Sequence, residues 1–187
     1  MARSTSRPAL FIDRDGTVNP DLHYLREAER IEVLRGVGDG LGLAHAHGFV
    51  IVCVTNQSGV ERGFYTVEEV DRIHARLNER LEKRGGKIDA FYYCPHAPEA
   101  NCTCRKPGTE LFERAVVDLG LDLARSAVIG DRWVDIEAGR RLGLLTAIVP
   151  PVGRDAEIER ELVEHGATPD LRASSLRNAV LRVLARG

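Results

Sequence analysis

Residues 10–17 read L-F-I-D-R-D-G-T: an apolar run closes on two aspartates one residue apart, then a glycine. Two carboxylates held that close repel each other. A chain keeps such a pair where a cation, or an anionic substrate handled through one, offsets the repulsion. Asp131, in G-D-R-W-V-D (130–135), supplies a third carboxylate. Asp13, Asp15 and Asp131 then make a hard-oxygen set suited to Mg²⁺, which takes carboxylates together with waters and phosphate oxygens. A carboxylate can also attack phosphorus and form an aspartyl-phosphate. A second carboxyl two residues on can protonate the departing oxygen and later activate water. Thr55 and Lys106 would add a hydroxyl donor and a fixed positive charge for the phosphoryl oxygens. The chemistry these residue types fit best is phosphoryl transfer.

A second constellation lies at 94–104. Cys94-Pro-His96, five residues, then Cys102-Thr-Cys104 place three thiols and an imidazole within eleven residues. Such a set fits a closed tetrahedral Zn²⁺ site, which is structural because no position stays open. The rival reading is four unrelated residues, or thiols able to form disulfides. Cys53 falls mid-strand and reads as a small buried apolar residue. Arg105 and Lys106 follow the last ligand directly, so a metal clip here would fix where two cations point.

The elements that must position these groups alternate. Ala9–Asp13 reads as a buried strand. Gly16–Leu34 is a polar excursion, and Val37–Ala46 a helix weakened by Gly36, Gly38, Gly40 and Gly42. The G-x-G-x-G run is a loosely packed helix start, since it precedes a strand and no Gly-Lys-Ser/Thr follows. Phe49–Val54 (F-V-I-V-C-V) is the clearest strand, apolar without alternation, as in a parallel sheet covered on both faces. Thr66 and Glu69 make a capping box for a helix that Gly85-Gly86 stops. A strand at Ile88–Tyr93, a helix at Thr109–Leu119 and a strand at Ala127–Ile129 follow. Then come a helix at Asp135–Leu142, a strand at Leu144–Val149, helices at Asp155–His165 and Leu176–Ala185, and an edge strand at Thr168–Leu171. The pattern is that of an α/β protein: an open three-layer, Rossmann-like sheet of mostly parallel strands flanked by helices. One domain over 1–187 is expected, with no cap domain and with a zinc-stabilised loop. In such sheets ligands bind beyond the carboxyl ends of the strands. Asp13 and Asp15, the stretch Thr55-Asn56-Gln57-Ser58, Cys94 and Asp131 all fall there.

The composition sets limits. Of 187 residues, 43% are apolar and 29% charged, and the net charge is -2, so no basic field invites nucleic acid. Met1–Pro8 reads as a short polar tail without the apolar core of a signal peptide, and no apolar run is long enough to span a membrane. A reducing, cytoplasmic setting is expected, where four cysteines mean metal ligands or free thiols.

Four motifs in order resemble those of the haloacid dehalogenase-type phosphatases: D-R-D-G-T (13–17), the strand ending in Thr55, Lys106 before Pro107, and G-D-R-W-V-D (130–135). The resemblance covers about residues 9–150. It implies Asp13 as nucleophile and Asp15 as general acid and base. It also implies Mg²⁺ on the Asp13 side chain, the Asp15 backbone carbonyl and Asp131, with Asp135 as a supporting carboxylate. Two branches of that superfamily carry such a zinc loop, one acting on heptose bisphosphate and one on histidinol phosphate. T-N-Q-S-G-V-E-R-G (55–63) and Y-Y-C-P-H (92–96) resemble the heptose branch. That implies Asn56, Gln57, Ser58, Arg62, Arg105 and Arg132 as contacts to a small phosphorylated sugar; a monomer is expected. Gly108-Thr109-Glu110 departs from the Pro-Gly-Met of that branch. Arg132 stands where lysine is common and, with D-I-E-A (135–138), looks as much like the histidinol branch. Rivals of another class are a phospho-acceptor signalling domain and a zinc-binding interaction module. The first would place its acceptor aspartate after a different strand from its acidic pair; the second would need a lost nucleophile.

Overall fold

The computed structural model describes residues 6–186. The first five residues of the polar tail therefore lie outside the described residues. Six strands form one sheet: β1 (Arg7–Ile12), β2 (Val50–Asn56), β3 (Ala90–Cys94), β4 (Leu121–Gly130), β5 (Leu145–Ile148) and β6 (Leu171–Arg172). Their order is β3-β2-β1-β4-β5-β6 and every pairing is parallel. Among the described residues five α-helices connect them and a sixth follows β6: α1 (Val37–Ala46), α2 (Val67–Glu82), α3 (Glu110–Leu119), α4 (Trp133–Arg141), α5 (Asp155–Glu164) and α6 (Leu176–Leu184). Between β1 and α1 the chain carries only a loop with a short 3₁₀ turn at Ala28–Arg30.

Both faces of the sheet are covered, which is why β1 and β2 show no polar alternation. Leu10, Ile12, Ile51, Cys53 and Ile129 pack on one side with α1, α2 and α6. Ala9, Phe11, Val50, Val52 and Val54 pack on the other with α3, and the Phe11 and Phe112 rings lie 5.0 Å apart. α2 opens on the expected capping box: Glu69 N donates to Thr66 Oγ1 at 3.3 Å and Thr66 N to Glu69 Oε2 at 2.8 Å.

Three expectations change. β1 begins at Arg7, inside the stretch read as tail, because Arg7 and Pro8 pair with Leu121 and Asp122. β4 is far longer than Ala127–Ile129. Its first half is polar and the register shifts between Pro8 and Leu10. Ser126 Oγ fills the irregularity, accepting from Ala9 N at 2.8 Å. The glycines of α1 are not signs of loose packing. A Cβ on Gly38 would lie 2.4 Å from Arg84 O, and one on Gly42 2.3 Å from Gly85 O. They let α1 sit directly on the turn that ends α2.

Among the described residues no helix is long and apolar enough to cross a membrane. The strand order departs in opposite directions from β1 and β4. The crevice at that switch point is where an open α/β sheet binds its ligand.

Candidate active site

Asp13 leaves β1 at that crevice, its amide donating to Ile129 O at 3.0 Å, and Asp131 leaves β4 next to it. One carboxylate oxygen from each of Asp13, Asp131 and Asp135 lies within 4.8 Å of the others. Gly16 crosses over this cluster at φ +88°, and a Cβ there would stand 2.2 Å from Asp131 Oδ2. Only glycine meets both conditions. Lys106, 4% exposed, reaches in from the far side of the zinc-type loop. Its Nζ donates to Asp13 Oδ1, Asp135 Oδ1 and Val54 O, each at 2.6 Å. Burial works against its charge, but the two carboxylates outweigh it and push the ammonium up.

The carboxylates carry the opposite strain. Burial, with Asp135 and Asp15 nearby, raises Asp13 to about 6 although Lys106 pulls it down. Burial, then Asp13 and Asp135, hold Asp131 well above the usual carboxylate range. Its nearest side-chain donor is the Thr17 hydroxyl at 3.5 Å. A buried acid with so weak a partner is what a hard divalent ion would relieve, so the residues fit Mg²⁺.

These groups open on a cavity of about 640 Å³. Thr55, Asn56, Gln57, Ser58, Arg105 and Arg132 line it beside Asp13, Asp15, Lys106 and Asp131. Arg62 is not brought there; its guanidinium reaches Glu99 Oε1 at 3.5 Å on the surface. Several lining side chains are already engaged. Asn56 makes a reciprocal pair with the Lys106 backbone, accepting from its amide at 3.0 Å and donating to its carbonyl at 3.3 Å. Arg132 forms a two-pronged ion pair with Glu161 at 2.9 and 2.7 Å. Arg105 Nη1 donates to His96 O at 3.3 Å. The Ser58 hydroxyl has no partner among the described residues.

Cys94 at the end of β3, His96, Cys102 and Cys104 converge. Cys104 Sγ lies 3.1 Å from Cys94 Sγ, 3.4 Å from Cys102 Sγ and 3.2 Å from His96 Nδ1. Cys94 Sγ is 3.5 Å from Cys102 Sγ and 3.6 Å from His96 Nδ1. Ligands at Zn–S bond lengths of ~2.3 Å sit on a tetrahedron with edges of roughly 3.8 Å. The four atoms are close to that arrangement, and the thiols are free of disulfides. The residues fit Zn²⁺.

Comparison with known proteins agrees with this geometry. A family model described as HAD-hyrolase-like matches residues 103–179. The D-glycero-beta-D-manno-heptose-1,7-bisphosphate 7-phosphatase of Haemophilus ducreyi is 34% identical, over 83% of this chain and 89% of its own. The probable D-glycero-D-manno-heptose-1,7-bisphosphate 7-phosphatase of Thermoplasma volcanium is 42% identical, over 72% of this chain and 93% of its own. The crystal structure of D,D-heptose 1,7-bisphosphate phosphatase from B. bronchiseptica, complexed with magnesium and phosphate, superposes with a TM-score of 0.83. It shows 25% identity and covers 96% of this chain and 99% of that one. The chain belongs to the haloacid dehalogenase-like phosphatases.

In this haloacid dehalogenase-like phosphatase a buried network stands behind Asp15. Arg14, 2% exposed, turns inward instead of into solvent. Its Nε and Nη2 grip the Asp15 carboxylate at 3.1 and 2.6 Å, and Nη2 also reaches Gln57 Oε1 at 3.1 Å. Its Nη1 lies 3.4 Å from His74 Nε2. Burial, then the Arg14 charge, push His74 down to about 3, so the ring is neutral and accepts from Arg14. Burial alone would raise Asp15, but Arg14, Asn19 and Gln57 hold it below the usual carboxylate range. Sequence reasoning passed over Arg14, Asn19, Tyr65 and His74. The one available signal was an arginine between two aspartates on a strand end, where a solvated side chain would have been misplaced.

Proposed function

We propose that the chain removes the 7-phosphate from D-glycero-D-manno-heptose 1,7-bisphosphate, as its relatives are named for doing. The observation that carries this is the Asp13 carboxylate at the sheet's switch point, tied to Lys106 and facing the cavity with Thr55 and Asp131. Asp13 attacks phosphorus, the bond from phosphorus to the sugar oxygen breaks, and that oxygen takes a proton from Asp15. Water then attacks the aspartyl-phosphate and gives its proton to Asp15. Phosphate leaves and the Asp13 carboxylate is restored. Lys106 and Thr55 hold the phosphoryl oxygens through both steps. The Asp13 and Asp131 side chains and the Asp15 carbonyl would hold Mg²⁺, which would supply positive charge to the phosphoryl oxygens. Cys94, His96, Cys102 and Cys104 would hold Zn²⁺, and so clamped they would fix the segment leading into Arg105 and Lys106.

With Arg14, Asn19 and Gln57 around it Asp15 is a carboxylate, the form that takes the proton from water. To serve in the first step it must carry a proton when the sugar oxygen departs. Ser58 and Arg105 contact the sugar or its second phosphate. The chain works as a cytoplasmic monomer on this small soluble substrate, in a cavity lined by the end of β2, the start of α4 and the loops between.

The histidinol-phosphate reading has Arg132 with D-I-E-A (135–138) in its favour, and Gly108-Thr109-Glu110 after Lys106-Pro107 departs from the heptose pattern. Parallel kcat/KM measurements on both heptose bisphosphate anomers and on histidinol phosphate test the two. A preference of tenfold or more for a heptose bisphosphate supports the proposal, and a preference for histidinol phosphate overturns its substrate. Asp13→Asn removes turnover while the fold persists; retention of a tenth of the activity contradicts the assigned nucleophile.

A further inference from the structure

Gln57 reads from the sequence as a sugar contact, yet its amide is spent inside the protein. Its Nε2 donates to Asp15 Oδ2 at 2.9 Å and to Thr55 Oγ1 at 3.0 Å. Its Oε1 accepts from Tyr65 OH at 2.8 Å and from Arg14 Nη2 at 3.1 Å. All the capacity that matters for orientation is used. The two donors on Oε1 fix which end of the amide is which, so Nε2 must face Thr55 and Asp15. Tyr65 can come this close only because residue 59 is glycine: a Cβ there would stand 2.3 Å from the ring's Cζ.

The consequence falls on Thr55. A hydroxyl that accepts from Gln57 has its own hydrogen directed elsewhere. Thr55 is 1% exposed and lines the cavity beside Asp13. The free direction for its O–H is toward a phosphoryl group there. Asp15 is held from behind in the same way: Arg14 on both oxygens, Asn19 Nδ2 on Oδ1 at 2.9 Å, and Gln57 on Oδ2. Arg14 is itself backed by His74, whose ring stacks on Phe91 at 4.3 Å.

We propose that Gln57 and Arg14 are positioning residues: Gln57 makes Thr55 a donor to the phosphoryl group, and Arg14 with Gln57 holds the Asp15 carboxyl in place for proton transfer to the leaving oxygen. This rests on the phosphatase reading above. It goes beyond that reading in taking Gln57 away from the substrate and giving Arg14, Tyr65 and His74 a part in the chemistry.

The two roles separate by leaving group. An alkoxide from a sugar phosphate needs a proton as it departs, whereas p-nitrophenolate does not. Arg14→Lys keeps the charge and loses the planar fork. It should lower kcat on a sugar phosphate about 100-fold and on p-nitrophenyl phosphate less than tenfold, with KM nearly unchanged. Gln57→Met should lower kcat on both esters, because Thr55 serves both. It should also weaken competitive inhibition by inorganic phosphate about tenfold. Tyr65→Phe keeps the packing, removes one anchor on Gln57 and should show the Gln57 pattern at reduced size, so the test survives if Arg14→Lys does not fold. Equal losses on both esters in Arg14→Lys, or undiminished phosphate inhibition in Gln57→Met and Tyr65→Phe, overturn the inference. If the unaltered protein hydrolyses neither ester, the phosphatase reading fails instead.

Discussion

Replacing Lys106 by methionine tests the electrostatic core of the site. The ammonium is the shared partner of Asp13 and Asp135, at 2.6 Å from each, with side-chain exposures of 3%, 11% and 1% for the three residues. Methionine keeps the length of the stem and removes the charge. Deleting one member of a buried pair costs about 3–5 kcal/mol, since the partner is left buried and uncompensated. For a protein of this size that corresponds to a fall in melting temperature of about 6–20 °C. The pH dependence supplies a second, independent signature. Asp13 already sits at about 6 with Lys106 present, above its ordinary value of 3.8. A carboxyl raised in the folded state binds its proton where the unfolded chain does not. Its contribution therefore favours the fold below the folded value and is lost as pH rises through it. Without the ammonium Asp13 rises further, so the deficit of Lys106→Met against the parent should be largest near pH 8 and shrink toward pH 5. Comparison with the parent cancels the opposite trend from His74. That ring, held neutral down to about 3, loses stability as pH falls below its ordinary 6.5. Metal-free protein in a thermal unfolding series from pH 5 to 8 is the assay. A deficit under ~2 °C, or one that is the same at both ends, refutes the reasoning.

Other perturbations have equally definite outcomes. Mg²⁺ should raise the melting temperature of the parent more at pH 8 than at pH 5.5, because below about 6 protons already neutralise Asp13; calorimetry with and without the ion checks this. Gly16→Ala adds a Cβ 2.2 Å from Asp131 Oδ2 at φ +88°, and should weaken the Mg²⁺ dependence of kcat and destabilise the fold by about 1–3 kcal/mol, read by Mg²⁺ titration of activity and by denaturant unfolding. Removing zinc with a chelator and then restoring Mg²⁺ should leave the sheet folded and activity depressed, with faster amide exchange over 94–106; full activity in a zinc-free form rules out the positioning role of the loop.

Much of this arrangement was legible in the residues. The uniform apolar run of β2, the Thr66–Glu69 capping box and the tight spacing of Cys94, His96, Cys102 and Cys104 each depend on neighbours a few residues away. Local patterns of that kind survive into the structure. The convergence of polar groups at strand ends was legible for another reason. Parallel strands joined by right-handed crossovers leave every carboxyl end on one edge. The first half of β4 was not legible. Asp122, Arg125 and Ser126 look like loop, and what makes them strand is pairing with Arg7 and Pro8, 114 residues earlier for each pair. The glycines of α1 misled because composition records the absence of a side chain but not what takes its place. Here Arg84 and Gly85 take it.

The direction in which a short polar side chain points was the least legible feature, and it decides how the site works. Asn56 and Gln57 have the chemistry of sugar contacts and the positions of sugar contacts, yet both amides are closed onto protein partners. The charges explain why the site needs such internal brackets. Asp13, Asp15, Asp131 and Asp135 bring four carboxyl groups to one small region, and Arg14 and Lys106 bring two cations, so with all four acids ionised two negative charges remain. A divalent ion matches that remainder. The match holds only while Arg14 stays on Asp15 and Lys106 stays between Asp13 and Asp135. If either cation moved to the phosphoryl group entirely, a carboxylate would be stranded in a poorly solvated place. The neutral donors can turn outward at far smaller cost, which fits the proposal that Thr55 and the Ser58 hydroxyl face the substrate while Gln57 and Asn56 stand behind them.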